Sequence, residues 1–214
     1  RTDGFQPSNH GFESRTRYFI FMDIILNNFE WMSFNVLLAF LPILFGWVMY
    51  TAKEKWLKIS AGLLWILFIP NSVYIFTDIK HLQKDLAFVD NQLRIFVLLQ
   101  YILLLSVGAI AFLLGMHPFE KLIAKAKNKS IMHNKRIILI LTNLIIGLGI
   151  VLGRFQETNS WEVFTNINKV ISDSINVFTS HELLVIALLF GIFSNITYFA
   201  LIHIFHTLNI RRWY

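Results

Sequence analysis

Not one cysteine occurs in the 214 residues of this chain. Disulfides, thiolate metal sites and cysteine nucleophiles are therefore excluded. Charge is scarce as well, at 15% of residues, and there are only 4 prolines and 10 glycines. A soluble domain carries more charge and has loops richer in Gly and Pro. Also missing are the G-x-S-x-G elbow, the P-loop and the H-E-x-x-H helix, so the common hydrolase, nucleotide and metalloprotease signatures are absent. What fills the chain instead is apolar: 56% hydrophobic residues, 21 Phe and 6 Trp, with a mean hydropathy of +0.58.

Crossing about 30 Å of hydrocarbon takes about 20 apolar residues in a helix. Five stretches meet or approach that length: 33–50, 56–76, 95–116, 137–152 and 183–205. The fourth is short and must borrow Gly153, Arg154 and Phe155, with the arginine reaching toward the interface. No internal repeat or linker divides the chain. The expectation is an all-α, polytopic helical membrane protein, with residues 1–30 as an extracytoplasmic N-terminal segment and 31–214 as a single transmembrane domain. Residues 18–29 read as an additional interfacial piece, because joined to the first span they exceed a single crossing.

Orientation follows from basic residues in short loops. With five spans, residues 51–58, the loop 116–136 and the C-terminal tail share one face. That face holds eleven Lys and Arg, among them Lys53, Lys121, Lys127, Lys135, Arg211 and Arg212, against only Glu54 and Glu120, a net of +9. The other face nets −3. The basic face and the C-terminus are expected in the cytoplasm of a bacterium, across its plasma membrane. The loop 120–136 has almost no interleaved aromatics, so it is read as a topology signal lying on anionic headgroups, not as a nucleic-acid site.

The chemically unusual residues gather at the other face. In WILFIPNSVYIFTDIKHL (65–82), Asn71, Tyr74, Asp78 and His81 are spaced 3, 4 and 3. In an α-helix they span an arc of about 80° on one side. Asp85 joins them if the helix continues. Pro70 lacks an N–H and frees the carbonyl of Ile66, so a kink and a polar crevice are expected there. On the fourth span Asn143, Gly147, Ile150 and Arg154 form a second stripe, and Asp78 is a candidate carboxylate for Arg154. Gly149 and Gly153 make a G-x-x-x-G that lets a helix approach closely. Beyond it, residues 161–178 repeat Trp161, Phe164, Ile167, Ile171, Ile175 and Phe178 at helical spacing, the pattern of an amphipathic helix in the outer interface. Ser160 is placed to cap it and Trp161 to anchor it.

FNVLLAFLP (34–42), the Pro-Asn-x-x-Tyr-x-x-Thr-Asp-x-x-His run from Pro70 to His81, and LGRFQETNSWEVF (152–164) together resemble a bacterial family of integral membrane proteins, domain of unknown function 1361. The resemblance covers most of the chain from the first span onward. Where members read Pro-Asn-Ala-Pro-Tyr, this chain has Ser72 and Val73, losing the second proline; Glu162 stands where members often carry aspartate. The family implies a further helix upstream, hence six spans with both termini inside, and no settled biochemical function.

The candidate site is therefore Asn71, Tyr74, Asp78, His81, Arg154, Asn159 and Trp161. The leading expectation is binding or transport of a small molecule or lipid headgroup in an extracytoplasmic polar pocket, with Arg154 holding an anionic group. One alternative is a membrane-embedded hydrolase or transferase with Asp78 and His81 as acid and base and Ser160 as nucleophile. The other is a non-catalytic subunit with a membrane-protein partner or a second copy, in which Asp78–Arg154 is an internal strut. No cofactor or metal is expected: His203 and His206 are three apart on one helix and His117 ends a different span.

Overall fold

The structure is a computed structural model that describes residues 10–126 and 128–207, with side chains from residue 18 onward. Expectations resting on the first nine residues, Lys127, Arg211, Arg212 and the side chain of His206 lie outside that range. The described residues are helical throughout, without strands: α1 (His10–Thr51), α2 (Lys55–Tyr74), a 3-10 segment (Ile75–His81), α3 (Leu82–Ala87), α4 (Arg94–Ala124), α5 (Lys129–His133), α6 (Lys135–Phe155), α7 (Glu162–Thr165), α8 (Ile167–Thr179) and α9 (His181–Thr207). Among the described residues five helical stretches are long and apolar enough to cross a membrane: Tyr18–Thr51, Lys55–Ala87, Arg94–Ala124, Lys135–Phe155 and His181–Phe205. Each contains one of the five stretches expected from hydropathy, and the fourth does extend through Gly153, Arg154 and Phe155.

Residues 18–29 are not a separate piece; they continue the first span as one helix. At 1.5 Å per residue α1 is about 63 Å long, twice the hydrocarbon thickness. Its upper half is held by packing. Phe21 sits edge-on to Phe96 at 6.0 Å, and Phe21, Met32, Val89, Val97 and Tyr101 form a buried cluster with Ile75. A polar cross-link adds to it: the Asn28 amide and the Tyr101 hydroxyl both donate to Asp85 Oδ2, at 2.7 and 2.8 Å. Asp85 thus serves α1 and α4 and takes no part in the stripe below it.

The main core joins α2, α4, α6 and α9 around Trp65, Ile69, Phe112, Ile146, Ile150 and Tyr198. Trp65 stacks on Phe119 at 4.6 Å and its indole N–H donates to Gly115 O at 2.8 Å, so the polar edge of this buried ring is satisfied. The successive spans run antiparallel, which gathers residues 51–58 and 120–136 at one end. There Lys135 pairs with Glu120 at 2.5 Å and Lys125 lies over the Tyr50 ring at 4.3 Å.

Two close approaches set the spacing of α6. A Cβ on Gly149 would lie 2.5 Å from Pro70 Cγ, so this glycine admits the proline ring of α2. A Cβ on Gly147 would lie 2.3 Å from the Ala187 carbonyl, so α6 meets α9 backbone to backbone. The amide of Asn143 donates to Asn195 Oδ1 at 3.0 Å on the same side. The lower part of the fourth-span stripe, Asn143 and Gly147, therefore faces α9, while Ile150 enters the core shared with α2 and Arg154 bonds to α2.

Candidate functional site

The second hydrophobic helix changes geometry where its polar residues begin. After Tyr74 the chain tightens from α to 3-10. At about three residues per turn Ile75, Asp78 and His81 line up along the axis, rotated by about 100° from Tyr74. The single stripe is thereby divided between two neighbours. Asp78, buried beside Ile75, faces α1 and accepts from Asn35 Nδ2 at 2.9 Å. Tyr74 and Thr77 face α6, where Arg154 Nη1 donates to Tyr74 Oη at 2.8 Å and Nη2 to Thr77 O at 3.0 Å. The same Nη1 is 3.6 Å from Asp78 Oδ1, an ion pair whose side chains are 13% and 3% exposed. Charge and hydrogen bonds of the guanidinium are thus answered inside the bundle.

After α6 the chain folds back instead of leaving the bundle. Thr158 N–H bonds to Leu152 O at 3.0 Å, following a turn in which Glu157 takes a left-handed φ of 52°. The descending segment reaches α2: the Ser160 hydroxyl donates to Leu67 O at 2.9 Å, and Asn71 Nδ2 lies 3.3 Å from Ser160 Oγ. Asn71 also donates to Phe68 O at 3.0 Å. The carbonyls just before Pro70 therefore gain side-chain donors.

Ser160 is not a helix cap, contrary to expectation; its hydroxyl is committed to α2. The stretch 161–178 is also not one helix. Asn166, with φ −150° and ψ 65°, separates α7 from α8 and caps the latter, its side chain accepting from Lys169 N–H at 3.3 Å. The outward row survives the break, because Phe164, Ile167, Ile171, Ile175 and Phe178 are all exposed while Val177 is buried.

A clasp holds the segment. Glu162 accepts from the Asn159 N–H and from Lys169 Nζ at 2.8 Å, and Lys169 also reaches Glu157 O at 3.0 Å. The Lys169 ammonium first, and then the Asn159 N–H, hold the Glu162 carboxyl below the usual glutamate range. Its contribution to the folded loop is complete above the ordinary glutamate pKa and is lost as pH falls through the lowered folded value. The carboxylate infrared band of Glu162 should titrate below the ordinary range, and Lys169→Met should move it upward toward that range. Titration at the same pH in both proteins would mean the clasp does not form in solution.

Between α1, α2, α6 and this segment lies a cavity of about 300 Å³. Of the seven expected residues, Asn71, Tyr74, Asn159 and Trp161 line it, joined by Asn35, Thr158 and Ser160 and by apolar walls such as Leu38, Ile66, Ile145 and Leu148. Asp78 and Arg154 do not; they stand in the wall behind Tyr74, and Arg154 borders a separate groove with Phe76 and Phe193. His81 lies apart, its ring 5.5 Å from that of Trp31. Among the described residues no charged side chain lines the cavity. Asn35 escaped the sequence reading, although a lone amide between Phe34 and Val36 in an apolar span was the available signal. Among the described residues no three His, Asp or Glu converge as metal ligands.

Among families of known proteins, the model described as "Protein of unknown function (DUF1361)" matches residues 34–197. No curated protein and no solved structure matches the chain. The matched range begins at Phe34, on the rim of the cavity, and includes every residue that lines it.

Proposed function

The chain belongs to the DUF1361 family of proteins of unknown function, and from the site it carries we propose that it binds, or carries across the membrane, a small molecule with an uncharged polar group. The observation that supports this is the chemistry of the cavity. Its polar wall offers the side-chain carbonyls of Asn35 and Asn71 and the hydroxyl of Tyr74. Their other atoms already serve Asp78, Phe68 O, Ser160 and Arg154. An uncharged ligand fits, because a buried charge in a wall with no counter-charge is costly. Arg154 then acts as a positioning residue that orients Tyr74, and does not itself hold an anion. A volume of about 300 Å³ is at the small end of ligand sites.

We place the basic loops and the C-terminus in the bacterial cytoplasm and the cavity in the extracytoplasmic half of the plasma membrane, on the strength of the charge asymmetry. The exposed row from Phe164 to Phe178 suits the outer interface. A serine-hydrolase reading has less support: the Ser160 proton goes to Leu67 O and His81 packs on Trp31. The subunit reading loses one argument, since Gly149 is filled by Pro70 from the same chain.

Gly153 provides the test. A Cβ there meets Tyr74 at an ordinary 3.7 Å, so Gly153→Leu should fill the cavity while the helix stays intact. Native mass spectrometry of the protein from mild detergent should show a retained non-covalent mass. That mass should vanish in Gly153→Leu without a fall in melting temperature. Equal retention by both proteins would reject the cavity as the binding site.

A further inference from the structure

The cavity has a polarity gradient along the membrane normal, and the gradient identifies the kind of molecule. Heights follow from residue counts along α1, α2 and α6, measured from their basic ends at Thr51, Lys55 and Lys135. At 1.5 Å per residue, Leu38, Ile66, Ile145 and Leu148 lie about 15–20 Å above that end, near the middle of the hydrocarbon. Asn35, Asn71 and Tyr74 lie about 24–29 Å above it, near the opposite interface. Ser160 reaches lower, but its hydroxyl is spent on Leu67 O. One end of the cavity is thus apolar and deep, and the other polar and shallow.

The sides are open as well. α2 packs against both α1 and α6, and the cavity is the cleft these two leave over it, closed above by residues 158–163. Phe34 and Ile145, on the two flanks of the cleft, are 51% and 51% exposed, and Trp161, edge-on to Phe34 at 6.3 Å, is 38% exposed. Surfaces at these heights meet acyl chains, not water.

Resting on the binding reading above, we propose that the ligand is a lipid of the leaflet opposite the basic loops. It would carry a neutral, hydroxyl-bearing head and enter sideways between α1 and α6. A hydroxyl head can donate to the Asn35 and Asn71 carbonyls and accept from Tyr74, which matches the groups those residues leave unused. Among the described residues a phosphate head has no cation to meet, because Arg154 is turned to Asp78, Thr77 and the far side of the Tyr74 hydroxyl. The volume holds a head and the first part of a chain; the remainder stays in the bilayer beside Leu37 and Phe34. The lipid enters with the orientation it already has in its leaflet.

The experiment uses the purified chain in phosphatidylcholine vesicles with a photoactivatable diacylglycerol, followed by peptide mapping. Labelling should concentrate on α1 near Leu38 and on α6 near Ile145. It should persist in excess glycerol, and should fall about fivefold in Asn71→Leu, the effect of one neutral hydrogen bond. In Gly153→Leu it should drop to the level of the outward faces of α4. Melting temperatures of both variants report folding, and two variants on different helices keep a misfolded one from deciding the result. Labelling spread evenly over the lipid-facing helices, or unchanged in Gly153→Leu, would overturn the lipid proposal. A retained mass by native spectrometry would in that case still uphold the binding reading. Suppression by glycerol would also overturn it, pointing to a water-soluble polyol in the same cavity. Equal labelling by a photoactivatable phosphatidic acid would overturn the neutral head.

Discussion

Arg154→Met should destabilise the protein by about 3–5 kcal/mol, the range for removing one member of a buried ion pair. The methionine fills much the same space, so the loss is electrostatic. Asp78, 2% exposed, would lose its cation and be left with Asn35 as the remaining neighbour donor. Tyr74 Oη and Thr77 O would lose their donors as well. Asp78→Asn should also cost stability, because it leaves the guanidinium without its carboxylate. The double variant Asp78→Asn/Arg154→Met removes both charges and should recover a large part of the loss, since a neutral pair has no uncompensated charge to bury. Unfolding of the four proteins in one detergent closes the cycle. Additive losses would mean that the 3.6 Å approach contributes no coupling. A fifth protein separates a strut from a ligand contact: if Arg154 positions Tyr74, the mass retained by folded Arg154→Lys should be weakened, not abolished.

The helices were legible from the letters because hydrophobic length is a one-dimensional signal. The same holds for the Asp78–Arg154 pair, since two opposite charges near the ends of neighbouring apolar spans have few other partners. The cavity was only half legible. A uniform 100° per residue put Asn71, Tyr74, Asp78 and His81 on one face, but the switch to 3-10 after Tyr74 turned Asp78 and His81 toward α1. Nothing in local composition announced that switch. The fold-back of residues 158–163 was hidden for a related reason. Asn159, Ser160 and Trp161 read equally well as a surface turn and cap, and only the carbonyl of Leu67, ninety-three positions away, draws Ser160 inward. The glycines were legible as small and not as partners. Gly149 and Gly153 carried the recognisable spacing, whereas the tightest approach is made by Gly147, which needed Gly191 on a distant span to be recognised.

Gly147→Ala should therefore be far more damaging than its size suggests. A Cβ at this position would stand 2.3 Å from Ala187 O, 2.4 Å from Gly191 N and 2.8 Å from Gly191 Cα. All three are backbone atoms of α9, so no side chain can turn aside and the two helices must move apart. Separation would strain the Asn143–Asn195 hydrogen bond and open the contact around buried Ile150, Val151 and Ala187. Overpacking of this kind costs typically about 1–3 kcal/mol, and rigid backbone on both sides puts Gly147 at the upper end. Gly153→Ala is the matched control. Its Cβ has ordinary space, and replacing glycine inside a helix should gain about 0.5–1 kcal/mol. Unfolding of the two variants in the same detergent should move in opposite directions. If Gly147→Ala proved as stable as Gly153→Ala, α6 and α9 would not be in backbone contact, and the flank of the cavity that α6 supplies would need a different support.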